Sequence, residues 1–392
     1  MKTFSFKIIL FLTITFIAHA KIKHIRVIWH EDPAHESLIA WSNRAPGAHL
    51  VYFDTTPNFG KLSEYQYKMP SSYNERYKNS TNILRGLKLK NLKPDTLYYF
   101  VIKSSRSQSP EYHFRTAPLS KEKPYTLIFG GDSRTSRKNR KRINRYISQF
   151  IEKNPQTYAL IHGGDYITFG SSWPLWHFWL KDHQLTFTRE GRILPIIPTR
   201  GNHETNKKLY NQIFLYPGGE KKDYMNTRIG DLSIITLDTN ISMAGNQHLW
   251  LKSSLKKASE ESKWIFTNYH APAYPGIKGP SGAKKHFVPL FEKYQVDLVF
   301  ESDGHTLKKT LPIYQDQYDD KKGIIYIGEG GLGVKMRKPK KELWYLQPPG
   351  YSSNKYHMIT TDIYPDSVRV NIQLFDGNLF DQFTLYPRDR SN

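Results

Sequence analysis

The chain reads as two domains in series, a small all-β sandwich followed by a larger α/β layered domain, and three observations predict this. Its 392 residues exceed what one hydrophobic core usually organises. Residues 21–118 are broken into short β-rich runs with turn signals between them. After the linker TAPLSKEKP, residues 119–392 alternate buried apolar strands with longer helical stretches, the grammar of a layered α/β domain. A hydrophobic content of 38% with 14% aromatics supplies packed cores and excludes a disordered chain.

Residues 1–20, MKTFSFKIILFLTITFIAHA, carry Lys2 and Lys7, an apolar stretch from Ile8 to Ile17, and the ending Ala18-His19-Ala20. This is the three-part plan of a secretory signal peptide, so the chain is expected to be exported, periplasmic or secreted, with its mature form beginning near Lys21. The apolar core is about half the ~20 residues that a retained span needs. No later segment is long and apolar enough either, so no transmembrane anchor is expected in the mature chain. With no cysteines there are no disulfides and no thiolate chemistry, which leaves packing and bound metal to stabilise an exported protein.

Lys plus Arg at 57 against Asp plus Glu at 35 gives a formal charge of +22, an excess that draws anions from a distance. Phosphorylated small molecules, nucleic acid and anionic lipid surfaces all answer that description. The basic residues are scattered and no reader motif is present, so nucleic acid is not expected as a specific partner. The run from Lys335 to Lys341 reads as a solvated basic surface.

In the first domain the runs IRVIW, ESLIAW, HLVYF, TNILRGL, TLYYFVI and EYHFRT are the repeated short strands of a sandwich. The phrase LKNLKPDTLYYFVI sets Pro94 and Asp95 in a turn before an aromatic strand with Tyr98 and Phe100 on one face. It resembles a fibronectin type III module, with Trp29 and Trp41 as core anchors and scaffolding as its role. In the second domain, helices are predicted near Arg137 to Lys153, Trp173 to His183 and Asn246 to Ala258. The last has Leu251, Leu255 and Ala258 at helical spacing. From Gly323 the runs GIIYIGEGG, YHMITTDIY, SVRVNIQLF and DQFTLYP predict a second sheet or its edge.

The chemistry lies at the strand ends. YTLIFGGD ends at Asp132, TYALIHGGD at Asp165, LPIIPTRGNHE at Asn202 and His203, KWIFTNYH at His270, and VDLVFESDGH at Asp303 and His305. In open α/β folds sites lie beyond the carboxyl ends of the strands. Taken singly, an Asp after Gly-Gly is a turn former or a helix cap, and a lone His is structural. Five strand ends that deliver oxygen and imidazole donors to one edge point instead to a shared metal site. His162 and Glu204 are expected beside the ligand set rather than in it, and His177, His248 and His286 are read as structural or surface residues.

These blocks, GGD twice, GNHE, NYHAPAY and DLVF followed by Asp-Gly-His, resemble the five ordered blocks of the calcineurin-like metallophosphoesterases. With a fibronectin-like domain in front and FDGNLFDQF near the end, the chain resembles a purple acid phosphatase over nearly its whole mature length. The resemblance implies an α/β domain of two mixed sheets flanked by helices, and two divalent metal ions. It assigns the first ion to Asp132, the bridging Asp165 and His305, and the second to Asp165, Asn202, His270 and Asp303. Three positions depart from the family: Asp303 stands for the first His of Gly-His-x-His, Thr168 for the Tyr that binds ferric iron, and Arg134 for a Gly. Arg134 is expected either to approach a bound phosphate or to cap the following helix, and Tyr166 to point away from the site. Ferric iron is therefore disfavoured, and manganese, iron(II), zinc or magnesium fit the donors.

The reaction implied is hydrolysis of a small phosphate monoester by hydroxide activated at the two-ion centre, an acid phosphatase-like activity. His203 is assigned as the catalytic group that protonates the leaving oxygen or binds phosphate, with orientation of Asp165 as its structural alternative. Strand ends do not separate a monoesterase from a phosphodiesterase or nucleotidase, because the loops Thr168 to Trp179 and Tyr274 to Lys285 build the leaving-group pocket. A reading from another class is a non-catalytic binding protein with a degenerate metal site.

Overall fold

The computed structural model describes residues 21–77, 80–119, 122–216, 223–340 and 342–390. The expected leader and cleavage site lie outside the described residues. No described helix is long and apolar enough to cross a membrane.

The first domain carries β1 (Lys23–Ile28), β2 (Ser37–Asn43), β3 (Leu50–Asp54), β4 (Tyr67–Pro70), β5 (Tyr73–Arg76), β6 (Ile83–Leu89), β7 (Leu97–Lys103) and β8 (Tyr112–Arg115). Sheets β1-β2-β6-β5 and β4-β3-β7-β8 enclose a core that includes Val27, Trp41, Val51, Tyr98 and Phe100. The predicted aromatic face of β7 is thus the buried one. Strands β4 and β5 escape a sequence reading because each is only four residues long and mostly exposed, too short for an apolar pattern to stand out.

The second domain begins with β9 (Tyr125–Gly130), α1 (Arg137–Lys153), β10 (Thr157–His162), α2 (Trp173–His183), β11 (Ile196–Pro198) and α3 (Lys207–Phe214). It continues through β12 (Met225–Ile229), β13 (Leu232–Thr236), α4 (Asn246–Glu261), β14 (Trp264–Asn268), α5 (Gly282–His286), α6 (Val288–Lys293) and β15 (Leu298–Glu301). The remaining strands are β16 (Leu307–Lys309), β17 (Ile313–Tyr314), β18 (Gln317–Tyr318), β19 (Ile325–Gly328), β20 (Tyr351–Ser353), β21 (His357–Ile363), β22 (Val368–Leu374) and β23 (Leu379–Leu385). Helix α4 runs one turn beyond its predicted end, and Leu251, Leu255 and Ala258 are its buried face.

Alternation along the strands builds the layers. On β9, Leu127 and Phe129 point into the core between two mixed sheets, where Phe129 stacks on Phe300 at 3.5 Å. Ile128 points the other way, onto Ile143, Ile147 and Ile151 of α1. On the far side, Val299 of β15 and Ile265 of β14 meet Leu251 and Leu255 of α4. The result is helix, sheet, sheet, helix.

One expectation holds in part and one is corrected. The tail enters the second sheet through β19, which pairs in parallel with β15, whereas β21 pairs antiparallel with β9 and carries β22 and β23 to the edge of the first. Trp29 is not an anchor of the small domain's own core. It packs with Leu127, Trp173 and Trp176 in the large domain's core, because β1 pairs with β11 at Ile28 and Ile196. That pairing fuses the two domains' sheets into one of ten strands, β23-β22-β21-β9-β10-β11-β1-β2-β6-β5.

Candidate metal centre

Strands β9, β10 and β11 are parallel in the first sheet, as are β13, β14 and β15 in the second, so their carboxyl ends open on one edge. At that edge the chain turns sharply. Asp132, Asp165, Asp303 and His305 all take left-handed backbone angles, with φ of 58°, 58°, 68° and 60°. Such angles are sparsely used by residues other than glycine, and their concentration marks a site where geometry outranks local comfort. Glycine lets the turns nest: a Cβ on Gly201 would fall on the Asp165 amide and carboxylate, and Gly164, at φ +97°, would meet the Gly201 backbone at 2.6 Å.

The donors pair as ligands around an ion do. His270 Nε2 lies 3.2 Å from Asp165 Oδ1 and 3.0 Å from Asn202 Oδ1, and His305 Nε2 lies 3.2 Å from Asp132 Oδ1. Two donors each bonded to one ion at ordinary metal–ligand lengths sit about 2.9 to 3.4 Å apart. Asp132, Asp165 and His270 offer donor atoms that all lie within 4.8 Å of one another. Asp132 Oδ1 is buried without a hydrogen-bond partner, a costly state for a carboxylate oxygen unless a cation meets it. On these observations the residues fit a metal centre.

The field is correspondingly negative. Burial works to lower the His270 pKa, yet the Asp165, Asp132 and Asp303 carboxylates raise it to about 10. His270 is held by Nδ1 against the Gly163 carbonyl at 2.8 Å, which aims Nε2 at the cluster. Asp303 stands at the rim: Oδ1 is 3.7 Å from His270 Nε2 and accepts from Lys278 Nζ at 2.6 Å. Sequence reasoning missed Lys278, whose only signal was its place in the loop after NYHAPAY. Arg134 neither caps α1, whose cap is Ser136, nor points outward. Its Nε donates to Asp165 Oδ2 at 3.0 Å and its Nη2 reaches His305 Nε2 at 3.4 Å.

Around this set lie its supports. Glu204 is fully buried and accepts backbone N–H groups of Asp165, Gly201 and Tyr166 at 2.9 to 3.0 Å, tying the second and third strand ends together. Burial, then the Asp165 charge, push its pKa up to about 8. His162 meets Ser133 Oγ at 3.0 Å and stacks on Tyr166. The Tyr166 phenol is buried beneath the site, and burial raises its pKa well above the ordinary value. The Thr168 carbonyl accepts from His203 Nδ1 at 2.7 Å. That bond leaves His203 Nε2 facing the cluster, 3.9 Å from Asp165 Oδ2, while the His203 backbone N–H donates to Asp165 Oδ1 at 3.1 Å.

The run read as solvated surface borders the site. Backbone N–H groups of Val334, Arg337 and Lys340 bond to carbonyls of Asp132, His305 and Gly276. Lys335, Lys338 and Lys340 are thus exposed at the rim, where positive charge meets an anionic ligand first.

Comparisons with known proteins agree with the fold. Residues 22–116 match the purple acid phosphatase N-terminal domain, and residues 136–309 match the calcineurin-like phosphoesterase domain. Asp132 lies just before the second match. Purple acid phosphatase 13 of Arabidopsis thaliana is 23% identical over 341 residues, covering 71% of this chain and 60% of that protein. The chain thus spans less than two thirds of that relative's length. Purple acid phosphatase 21 of the same plant is 25% identical over 377 residues, covering 86% and 81%. In fold, the purple acid phosphatase PPD1 from yellow lupin (Lupinus luteus) seeds superposes with a TM-score of 0.79 at 15% identity, covering 95% of this chain and 75% of that one. With both matches in order and a candidate metal-ligand cluster at the strand ends, the chain carries a purple acid phosphatase N-terminal domain followed by a calcineurin-like phosphoesterase domain.

Proposed function

We propose that the chain is an exported phosphatase that hydrolyses small phosphate monoesters at a centre of two divalent ions. The observation that carries this reading is the pair of ligand edges that share Asp165. Asp132 and His305 lie 3.2 Å apart as one pair and Asn202 and His270 3.0 Å apart as another, with Asp165 beside both Asp132 and His270. Asp132, Asp165 and His305 would hold one ion, and Asp165, Asn202 and His270, with Asp303 at the rim, the other. When bound, the ions supply Lewis acidity toward the phosphoryl oxygens and lower the pKa of the attacking water.

The chain's own residues do the rest. Asn202 contributes a neutral oxygen, so it does not cancel the positive charge that a phosphate must feel. His203, whose Nδ1–H donates to the Thr168 carbonyl, would give a proton from Nε2, as the doubly protonated imidazolium, to the oxygen of the departing alcohol. The exposed lysines of the 335–340 run steer the dianion in. Tyr166 stays a buried phenol, so no phenolate colours the site. The donors suit manganese, iron(II), zinc or magnesium.

Hydrolysis of p-nitrophenyl phosphate and bis(p-nitrophenyl) phosphate, with metal analysis of the same sample, tests the reading. The expected result is manganese-stimulated turnover of the monoester, about tenfold or more above the diester, with no intense visible band. A preferred diester would reassign the protein as a phosphodiesterase, and activity that survives exhaustive chelation would overturn the metal mechanism. Export is tested separately by N-terminal sequencing, which should begin near Lys21.

A further inference from the structure

The cluster contains a cation of its own. Arg134 sits two residues beyond Asp132 with its side chain only 12% exposed, and it touches two of the three donors assigned to the first ion, Asp165 Oδ2 and His305 Nε2. A guanidinium donates, never accepts, and keeps its proton at any pH a protein survives. The Arg134 Nη2 stands 3.4 Å from His305 Nε2, which is itself 3.2 Å from Asp132 Oδ1, so the guanidinium brings its positive charge to the place where an ion held by His305 would sit.

The second position is different. The ammonium beside it, Lys278, bonds Asp303 Oδ1 rather than Asp165, Asn202 or His270, and its side chain is 43% exposed. It swings into water at little cost and leaves the three inner donors as a set. The two positions thus share Asp165 but face unequal competition.

We propose that Arg134 is a resident counter-cation at the first ion position, which makes the pair of ions bind unequally. The Asp165, Asn202 and His270 position fills tightly, and the Asp132, Asp165 and His305 position fills only as the guanidinium withdraws. Arg134 is a positioning residue: it sets how many ions the centre holds at a given metal concentration. This rests on the metal-hydrolase reading above.

The test is equilibrium dialysis of the whole chain against manganese chloride, with bound metal counted by elemental analysis and pairing read by electron paramagnetic resonance. Wild type should take one manganese tightly and the second about thirtyfold or more weakly, as expected for placing a dication against a buried monocation. Arg134→Ala should bring the second within about threefold of the first, and show the exchange-coupled signal of a pair at two equivalents. Arg134→Lys, which keeps the charge but loses the fork, should lie between.

Two ions of equal affinity in wild type would overturn the proposal alone and leave the hydrolase reading standing. So would an Arg134→Ala protein whose two affinities stay as far apart as before. The wild-type measurement decides the matter even if a variant fails to fold. A wild-type chain that binds no manganese, zinc or iron would overturn the hydrolase reading together with this one.

Discussion

Asp182 and Asp132 are both buried in the larger domain, at 1% and 0% exposure, yet the chain treats their charges in opposite ways. Asp182, on α2, accepts from Arg137 Nε and Nη2 at 3.0 and 2.9 Å and from Arg140 Nε and Nη2 at 3.2 and 2.7 Å. Its carboxylate is saturated by two forks from α1, and it locks the two helices together. Asp132 takes one backbone N–H, from Asp303 at 2.9 Å, and leaves its other oxygen without a hydrogen bond, 3.2 Å from His305 Nε2. A buried charge that holds the fold is paired inside the chain, because an unpaired one costs several kcal/mol. A buried charge left open is kept for something that arrives later. Asp165 stands between these cases, bonded to neighbours but shared between two sets of donors.

The strongest way to break this comparison is to remove the shared carboxylate. Asp165→Ala should lose bound metal and phosphate-ester hydrolysis together, by about a thousandfold or more in kcat/KM, since ion placement and water activation fail at once. Parent-level hydrolysis in that variant would remove the centre from the mechanism.

Next in size is the contrast itself. Asp182→Ala strands the Arg140 guanidinium, 3% exposed, and should destabilise the fold by about 3–5 kcal/mol in denaturant titration. Asp132→Asn should leave the metal-free protein within about 1 kcal/mol of wild type, or more stable, because it removes a buried charge met only by the Asp303 N–H and the neighbouring His305 ring. The same variant should bind less metal. Equal stability losses in both variants would erase the distinction drawn here.

His203→Ala should be milder than Asp165→Ala: metal content kept, and kcat lowered by about a hundredfold, the usual weight of a general acid. Metal loss equal to that of Asp165→Ala would reassign His203 to holding Asp165, to which its backbone N–H already bonds.

The smallest effect is on stability in acid. His183 neighbours Asp182, and burial lowers its pKa to about 3. On β21, burial lowers the His357 pKa to about 4, opposed by the Lys355 carbonyl. In the unfolded chain both titrate near the ordinary value of about 6.5. As pH falls below that value the unfolded state takes up protons that the folded state refuses, so stability is complete above about pH 6.5 and is lost progressively toward pH 4. Thermal unfolding should therefore shift down by several degrees between pH 7 and pH 5. His183→Phe should flatten the slope, and an unchanged slope would mean that this imidazole is not kept neutral by the fold. Even an enzyme active in acid would carry this cost.

Much of the centre was legible in the chain because its elements obey local rules. Parallel strands end at one edge, so a polar donor after each apolar run announces itself, and Asp132, Asp165, Asn202, His270 and His305 came into view that way. Helices α1 and α2 followed from spacing, with the predicted bounds. Strand β5, YNER, has no apolar alternation to betray it, and Trp29 looked like an anchor of the sandwich because nothing local says which core an indole enters.

What the sequence by itself determined is the order of the domains and the strand-end donors, consequences of short-range periodicity and residue chemistry; the departures at Arg134, Thr168 and Asp303 came from the resemblance to the family. What only the tertiary structure decided is where the long, flexible charges go. Arg134 and Lys278 have side chains that reach in any direction, and partners 31 and 25 residues away select their places. The same holds for the continuity of the two domains through β1 and β11, whose paired residues Ile28 and Ile196 lie far apart in the chain. Backbone pairing at that range is set by which faces bury together, and no local pattern carries it.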